Sequence, residues 1–452
     1  MPDVADTRAS AFAALRYRNY RLMWISAIIS SSGRWFQVLA IPLIVYDLSG
    51  QSAAWVGLAG FTQLLPVAIL CPFAGAIADR YPRRTILIVT QSTQTVVAAV
   101  FVTMWFGGVR SPGAYVAVSI LAGTASGLNL PAWQAFVSEL VPRDTLMSAV
   151  TLNSAQFNMA RMLGPSMAGV VIAQWGPGWA FVLNAVSYFA VIASLASLRL
   201  PRLTAESNGR LRPLSEFGEA VAYTRKKAGI STAVFVGAVI GFFGITAQQM
   251  SIVVAEDVFG QGERGFGWML TASGVGAIVA SPMVAEMARR FDRSRIQEVA
   301  LLLYGSGVCA MAVAPWFVVA LAGMFATGAA HIASASTLNT AIQLQVDERL
   351  RARVLSVYLT VLLLSSPLGQ LFMGQAIEMF GPRETFLVFG LLFFALAVGL
   401  ASTQRLRALD SGSGTYQPSA AAEAHPSTPA PPRQPSAQPA TTRDTGPSSD
   451  RA

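Results

Sequence analysis

Twelve predominantly apolar stretches follow one another along this chain of 452 residues, most of them near the roughly 20 residues that a helix needs to cross a bilayer. They cover 22–46, 54–78, 86–106, 115–134, 149–173, 179–198, 230–254, 265–287, 299–313, 316–337, 354–379 and 385–403. Such a series leaves few folds open. Backbone polar groups in lipid must be satisfied within the chain, so each stretch is expected to be a helix. Only 12% of the residues are charged, against about 25% in a soluble protein. Mean hydropathy is +0.51. The expected fold class is an all-α membrane protein.

An even number of spans places both chain ends on one side. Arginine placement says which. The N-terminal segment and the turns on its side carry Arg16, Arg18, Arg21, Arg80, Arg83, Arg84, Arg143, Arg289, Arg290, Arg293, Arg295, Arg349, Arg351 and Arg353. The turns on the other side carry only Arg110, Arg264 and Arg383. Both termini are therefore expected in the cytoplasm, with the protein in the inner (plasma) membrane. No signal peptide is legible in the polar first 21 residues. The net charge of +9 thus reads as topology and attraction to membrane lipid, not as a nucleic-acid footprint.

The longest internal loop, 199–229, is basic, and its part from Leu214 to Lys227 has the pattern of an amphipathic surface helix. The expected organisation is a cytoplasmic segment 1–21, a six-helix bundle 22–198, the connecting loop 199–229, a second bundle 230–404 and a disordered cytoplasmic tail 405–452. The tail is rich in Pro, Ser, Ala and Thr and poor in residues that could build a core. Cys71 and Cys309 both fall in apolar runs, so neither a disulfide framework nor a metal site is implied. No cofactor is expected. A His-Glu-x-x-His helix, a Gly-x-Ser-x-Gly turn and a P-loop are all missing from the sequence, which argues against an enzyme and against direct use of ATP.

The halves repeat. Asp47 and Gly50 correspond to Asp257 and Gly260, and Asp79-Arg80 to Arg289-Arg290, each at a spacing of 210. Gly164, Gly169 and Gly176-Pro177 correspond to Gly369, Gly374 and Gly381-Pro382, at a spacing of 205. Two related six-helix bundles with pseudo-two-fold symmetry suggest a transporter rocking about a central site.

The stretch Gly75-Ala-Ile-Ala-Asp79-Arg80-Tyr-Pro82-Arg83-Arg84 closes the second span. It resembles the loop signature of the major facilitator superfamily, with Pro82 where that family often has Gly. Leu15-Arg-Tyr-Arg-Asn-Tyr-Arg21, Leu163-Gly-Pro-Ser-Met-Ala-Gly169 and Arg351-Ala-Arg-Val-Leu-Ser356 narrow the resemblance to the branch of enterobactin exporters and macrolide-efflux proteins. The match spans 12–405. It implies a secondary transporter that exports small amphipathic or anionic molecules, drug- or siderophore-like, by alternating access. Proton antiport and a monomer are expected. An uncoupled facilitator, an importer and a receptor that binds without transporting are the other readings.

By the same resemblance, Gly75, Asp79, Arg80, Arg83 and Arg84 form a cytoplasmic gate, with Asp79 meeting the start of the eleventh span. Gly164, Pro165 and Gly169 resemble the antiporter motif of the fifth span, a hinge or seal. The residues themselves also allow positive-inside anchoring and generic close packing.

Arg34 and Arg161 each lie twelve residues into a span. At 1.5 Å per residue that is about 18 Å deep, where an arginine costs roughly 2.5–3.5 kcal/mol. No Asp or Glu occupies the centre of any span. The two arginines therefore either bind an anionic substrate or are satisfied by neutral groups such as Gln37, Asn129, Gln156 and Asn158. Pro165 frees the carbonyl of Arg161, so a kink is a further reading there. His331 is the one histidine within a span, open both to carrying a proton and to hydrogen-bonded packing. Gln63, Gln91, Gln94, Gln248, Gln249 and Asn339 are further polar residues whose orientation the sequence leaves open.

Overall fold

In the computed structural model, residues 12–198, 213–347 and 350–411 are described, and their regular structure is helical. The helices are α1 (Arg18–Leu48), α2 (Ala53–Arg80), α3 (Arg83–Phe106), α4 (Pro112–Val137), α5 (Leu146–Trp175), α6 (Pro177–Ser197) and α7 (Pro213–Lys226). There follow α8 (Ala228–Val258), α9 (Gly262–Arg290), α10 (Arg293–Val313), α11 (Phe317–Gln345), α12 (Arg351–Phe380) and α13 (Pro382–Ser402). Among the described residues, eleven helices are long and apolar enough to cross a membrane. The 30-residue α5 lies outside that set and carries Asn153, Gln156, Asn158 and Arg161 along its first half and midpoint.

The ninth and tenth apolar stretches are shorter than the helices that hold them. The helix around 299–313 starts at Arg293, and the one around 316–337 runs on to Gln345. Hydropathy stops where polar residues begin, but a helix continues into the headgroup layer, where water satisfies its ends. Val96, Leu121, Phe189, Val299, Val388 and Leu391 point outward and are exposed, as a lipid-facing surface requires.

The repeat seen in the sequence reappears in the backbone. Gly50 and Gly260 end the first helix of each half with φ of +71° and +60°. Gly176 and Gly381 separate α5 from α6 and α12 from α13 with φ of +84° and +89°. Each is followed by a proline at the first helical position, where a missing N–H costs nothing. Only glycine takes such backbone angles freely.

Helix α8 is the irregular member. Two π turns, Ile240–Ile245 and Val254–Val258, interrupt it. The Thr246 hydroxyl lies within hydrogen-bond distance of the Gly241 carbonyl, five residues back, at 3.3 Å and of the Ser366 carbonyl of α12 at 3.1 Å.

The connecting segment contains the expected amphipathic helix, α7. Its buried Ala220 and Thr224 face the body, while Tyr223 donates to Asp347 at 3.1 Å and Glu219 meets Arg353 at 3.3 Å. Disorder was expected from 405 onward; instead Arg405–Asp410 forms a 3-10 turn docked on the second half. Leu406 and Leu409 are buried, and Asp410 accepts from the Ser294 backbone N–H at 3.0 Å. Two leucines three residues apart, with a capping acid, suffice to anchor it. The rest of the expected tail, from 412, lies outside the described residues, as do 1–11 and 199–212.

Among the described residues, the halves meet closely at the end opposite the arginine-rich turns. There α2 crosses α12, and α5 crosses α9, through glycines. A Cβ on Gly57 would lie 2.3 Å from the Gln370 carbonyl oxygen and 3.3 Å from the Gly374 Cα. One on Gly169 would lie 3.3 Å from the Gly267 Cα. Gly57 and Gly267 are 210 positions apart, Gly169 and Gly374 are 205 apart, so the two crossings are copies of one another under the duplication. Polar contacts complete this end. Tyr46 donates to Asp257, Ser166 and Thr271 share a hydrogen bond of 2.6 Å, and Glu378 caps α2 through Ser52 at 3.1 Å and the Ala54 N–H at 3.3 Å.

Candidate functional site: a polar cleft holding Arg34

Three helices of the first half turn polar stripes toward one another. On α1, Ala27, Ser30, Ser31 and Arg34 recur at helical spacing. Gln91 and Gln94 do so on α3, and Ser126, Asn129 and Trp133 on α4. Residues three, four and seven apart share a helix face, so each stripe points one way. With Phe157, Tyr188 and Val191 they line a partly open cleft that pairs apolar walls with a few polar groups.

Hydrogen bonds fix most of these groups. Gln94 donates to the Ala122 carbonyl at 3.2 Å and to Ser126 at 2.7 Å. Asn129 donates to Thr90 at 2.8 Å, and Trp133 to Asn153 at 3.0 Å. Behind the cleft, Gln156 ties α5 to α1 through the Ala27 carbonyl at 3.2 Å and Ser31 at 2.6 Å. Close packing holds the α1 frame: a Cβ on Gly33 would sit 2.1 Å from the Ser187 hydroxyl oxygen of α6. Arg34 is exposed, on the cleft wall, and makes no hydrogen bond or ion pair among the described residues.

The residues singled out in the sequence separate into groups. Arg34 and Asn129 line the cleft. Gln37 does not: it is buried and accepts from Asn184 at 2.9 Å, joining α1 to α6. His331 is half-buried on α11, away from the cleft residues. Gln248 donates to the Tyr304 hydroxyl at 3.2 Å, and Gln343 donates to Asn339. The side chains of Gly75, Asp79, Asn158 and Arg161 lie outside the described residues, so the expected roles of Asp79 and Arg161 rest on sequence alone.

At the arginine-rich end, Arg80 is exposed. Arg83 pairs with Glu139, in the turn just after α4, at 2.7 Å, and Arg84 donates to the Ala196 carbonyl of α6 at 3.1 Å. Both partners belong to the first half. Gly164 lies against α1, where an added Cβ would meet the Trp35 ring at 2.2 Å. The Pro165 carbonyl oxygen lies 3.1 Å from where a Cβ on Gly267 would stand. Gly164, Pro165 and Gly169 thus seat α5 against both α1 and α9. Tyr188 and Phe157 are cleft residues that the sequence reading did not single out. The signal for Tyr188 was available in the polar series Asn184, Ser187, Tyr188 on α6.

A helical body with an apolar skin, a duplicated frame and a polar internal cleft defines a polytopic membrane transporter. Residues 9–426 match the family described as transmembrane secretion effector, a branch of the major facilitator transporters, and the chain belongs to that family. It is a transporter, not an enzyme. The staphyloferrin A transporter of Staphylococcus aureus is 23% identical over 81% of this chain and 91% of its own length. The multidrug efflux pump Tap of Mycolicibacterium fortuitum is 25% identical over 87% of this chain and 97% of its own. Macrolide efflux protein A of Streptococcus pyogenes is 20% identical over 87% and 99%. Among solved structures, the nucleoside transporter NupG superposes with a TM-score of 0.70 at 12% identity, covering 85% of this chain and 98% of its own. A bacterial homologue of the lysosomal transporter Spinster, described as inward-facing and unoccupied, gives 0.66 at 14% identity, covering 87% and 98%.

Proposed function

We propose that this chain is a secondary active exporter of the cell membrane, with both termini cytoplasmic, that moves small amphipathic or anionic molecules by alternating access. It acts as a monomer of twelve spans in two six-helix bundles. The observation that carries this reading is the pairing of a polar cleft holding Arg34 with glycine crossings that seal one end of the body. The sealed end is the arginine-poor one. Under the positive-inside rule it faces outward, and the conformation is inward-facing, ready to load from the cytoplasm. The names of the siderophore, multidrug and macrolide relatives support export of molecules of that size.

Protons are the proposed counter-flow. The acids placed to sense the outer solution are Asp47, Glu256 and Asp257 at the sealed end. An uncoupled facilitator is the second reading, favoured by the absence of any Asp or Glu among the residues lining the cleft. Purified protein in liposomes with an imposed pH gradient separates the two. Accumulation of an acidic substrate against its own gradient supports antiport, flux that only dissipates the gradient supports the facilitator, and no flux defeats both.

A further inference from the structure

We propose that the cleft selects acids that also bring a hydrogen-bond donor of their own, carried on a flat apolar body. The proposal rests on the transport reading for its physiological meaning, but the binding preference stands on the cleft alone.

The Gln94 side-chain nitrogen lies 3.2 Å from the Ala122 carbonyl oxygen. A carbonyl can only accept, so the nitrogen must occupy that position and the amide oxygen the other. That oxygen, Oε1, is buried and has no donor; Oε1 of Gln91, one turn earlier on the same face, is also buried without a donor, in an amide that no side-chain hydrogen bond orients among the described residues. The two residues are 5% and 6% exposed and both line the cleft. A buried acceptor without a donor costs about 1–3 kcal/mol; the other orphaned amide oxygens among the described residues, on Gln156, Asn184 and Gln297, do not line the cleft. Two in one cleft, beside a guanidinium, form a pattern with chemical content.

Simple ligands satisfy only part of it. An inorganic anion would pair with Arg34 and meet two lone-pair-bearing oxygens. An amine would satisfy the glutamines and be repelled by Arg34. A molecule with a carboxylate for Arg34 and an O–H or N–H for the glutamines answers all three. Trp133, Phe157 and Tyr188 supply broad walls for an aromatic or otherwise planar body between these groups.

Binding to the purified full-length protein in detergent, followed by calorimetry, tests this. The probes are meta- and para-hydroxybenzoate, the matching methoxybenzoates, which keep the acid and lose the donor, and the matching hydroxybenzamides, which keep the donor and lose the charge. At least one hydroxybenzoate should bind about tenfold tighter than both of its counterparts. Gln94→Met should reduce the hydroxy-over-methoxy preference to within about twofold and leave the acid-over-amide preference in place. Methoxybenzoates binding as tightly as hydroxybenzoates, or no binding of any acid, would overturn the proposal. The wild-type comparison decides even where Gln94→Met fails to fold. Liposome flux of the same compounds separates this from the export reading. Flux without donor preference sinks the selectivity and keeps transport; selective binding without flux keeps the selectivity and sinks transport.

Discussion

Tyr46, near the end of α1, donates its hydroxyl to the carboxylate of Asp257, near the end of α8, and so ties the first helix of one half to the first helix of the other. The contact lies in the sealed end and spans 211 positions of sequence. A hydrogen bond to a charged group contributes about 1.5–3 kcal/mol, or roughly ten- to a hundredfold in a two-state equilibrium. Tyr46→Phe keeps the ring and removes the donor. It should shift the population toward opening at this end by a factor in that range. Spin labels at Gln51 and Gln261, exposed on either side of the seam, would report the shift as a longer distance component. An unchanged distance distribution would make the bond incidental to the seal.

The glycine crossings should tolerate a methyl group unequally. At Gly57 the new Cβ meets the backbone oxygen of Gln370 at 2.3 Å, and a helix backbone cannot yield alone. At Gly169 the nearest atoms stand at 3.3 Å, so a shift of a few tenths of an ångström suffices. At Gly60 the clash is with the end of the Gln370 side chain, which can swing away. Gly57→Ala should therefore lower the melting temperature and open the sealed end, with transport falling about five- to a hundredfold, as overpacking of about 1–3 kcal/mol implies. Gly169→Ala and Gly60→Ala should stay within about threefold of wild type. Equal damage at all three would mean that the crossing does not set the spacing of the halves.

Much of this frame is legible in the sequence, because a bilayer makes helix location a matter of hydropathy and duplication repeats its punctuation. Gly50 and Gly260, or Gly176 and Gly381, announce their turns as pairs before any coordinate is known. The fifth-span glycines are also readable, though their contacts with Trp35 and Gly267 are not, since packing partners are chosen in three dimensions. Arg34 was conspicuous because a charge in an apolar run is costly. Gln91 and Gln94 were visible as residues but not as cleft walls. Their spacing on α3 held the signal, yet a helix with both polar and lipid-facing sides gives no origin for the rotation. Tyr46 with Asp257 was beyond reach, as nothing local couples residues so far apart.

Arg83 and Glu139 link the start of α3 to the turn after α4 at 2.7 Å, with side chains 28% and 19% exposed. Such a half-covered pair should couple by about 0.5–1 kcal/mol, since solvent still screens it. A double-mutant cycle of Arg83→Gln and Glu139→Gln, read by unfolding in detergent, measures this directly. The bond lies within one half, so under the proposed alternating access it persists, and the expected coupling is the same with and without a bound substrate. A coupling that changes with ligand would instead make Arg83 part of the moving gate.

Arg34 sets function against stability. It stands in a cleft about halfway along α1 without an ion-pair partner among the described residues, where a cation is costly to hold. Arg34→Ala should leave the melting temperature equal to or above that of the wild type, because an unpaired charge is removed and its burial was incomplete. The same substitution should raise the KM for acidic substrates by roughly ten- to a hundredfold, the worth of one charge-assisted bond, and that for neutral substrates by less than about threefold. Arg34→Lys keeps the charge but gives up the planar fork, so it should fall between the two for carboxylates. Paired uptake assays in liposomes, one acid against one neutral compound of similar size, provide the comparison. Equal loss for both would assign Arg34 to the architecture of the cleft, since only a residue that meets the substrate's charge can tell the two apart.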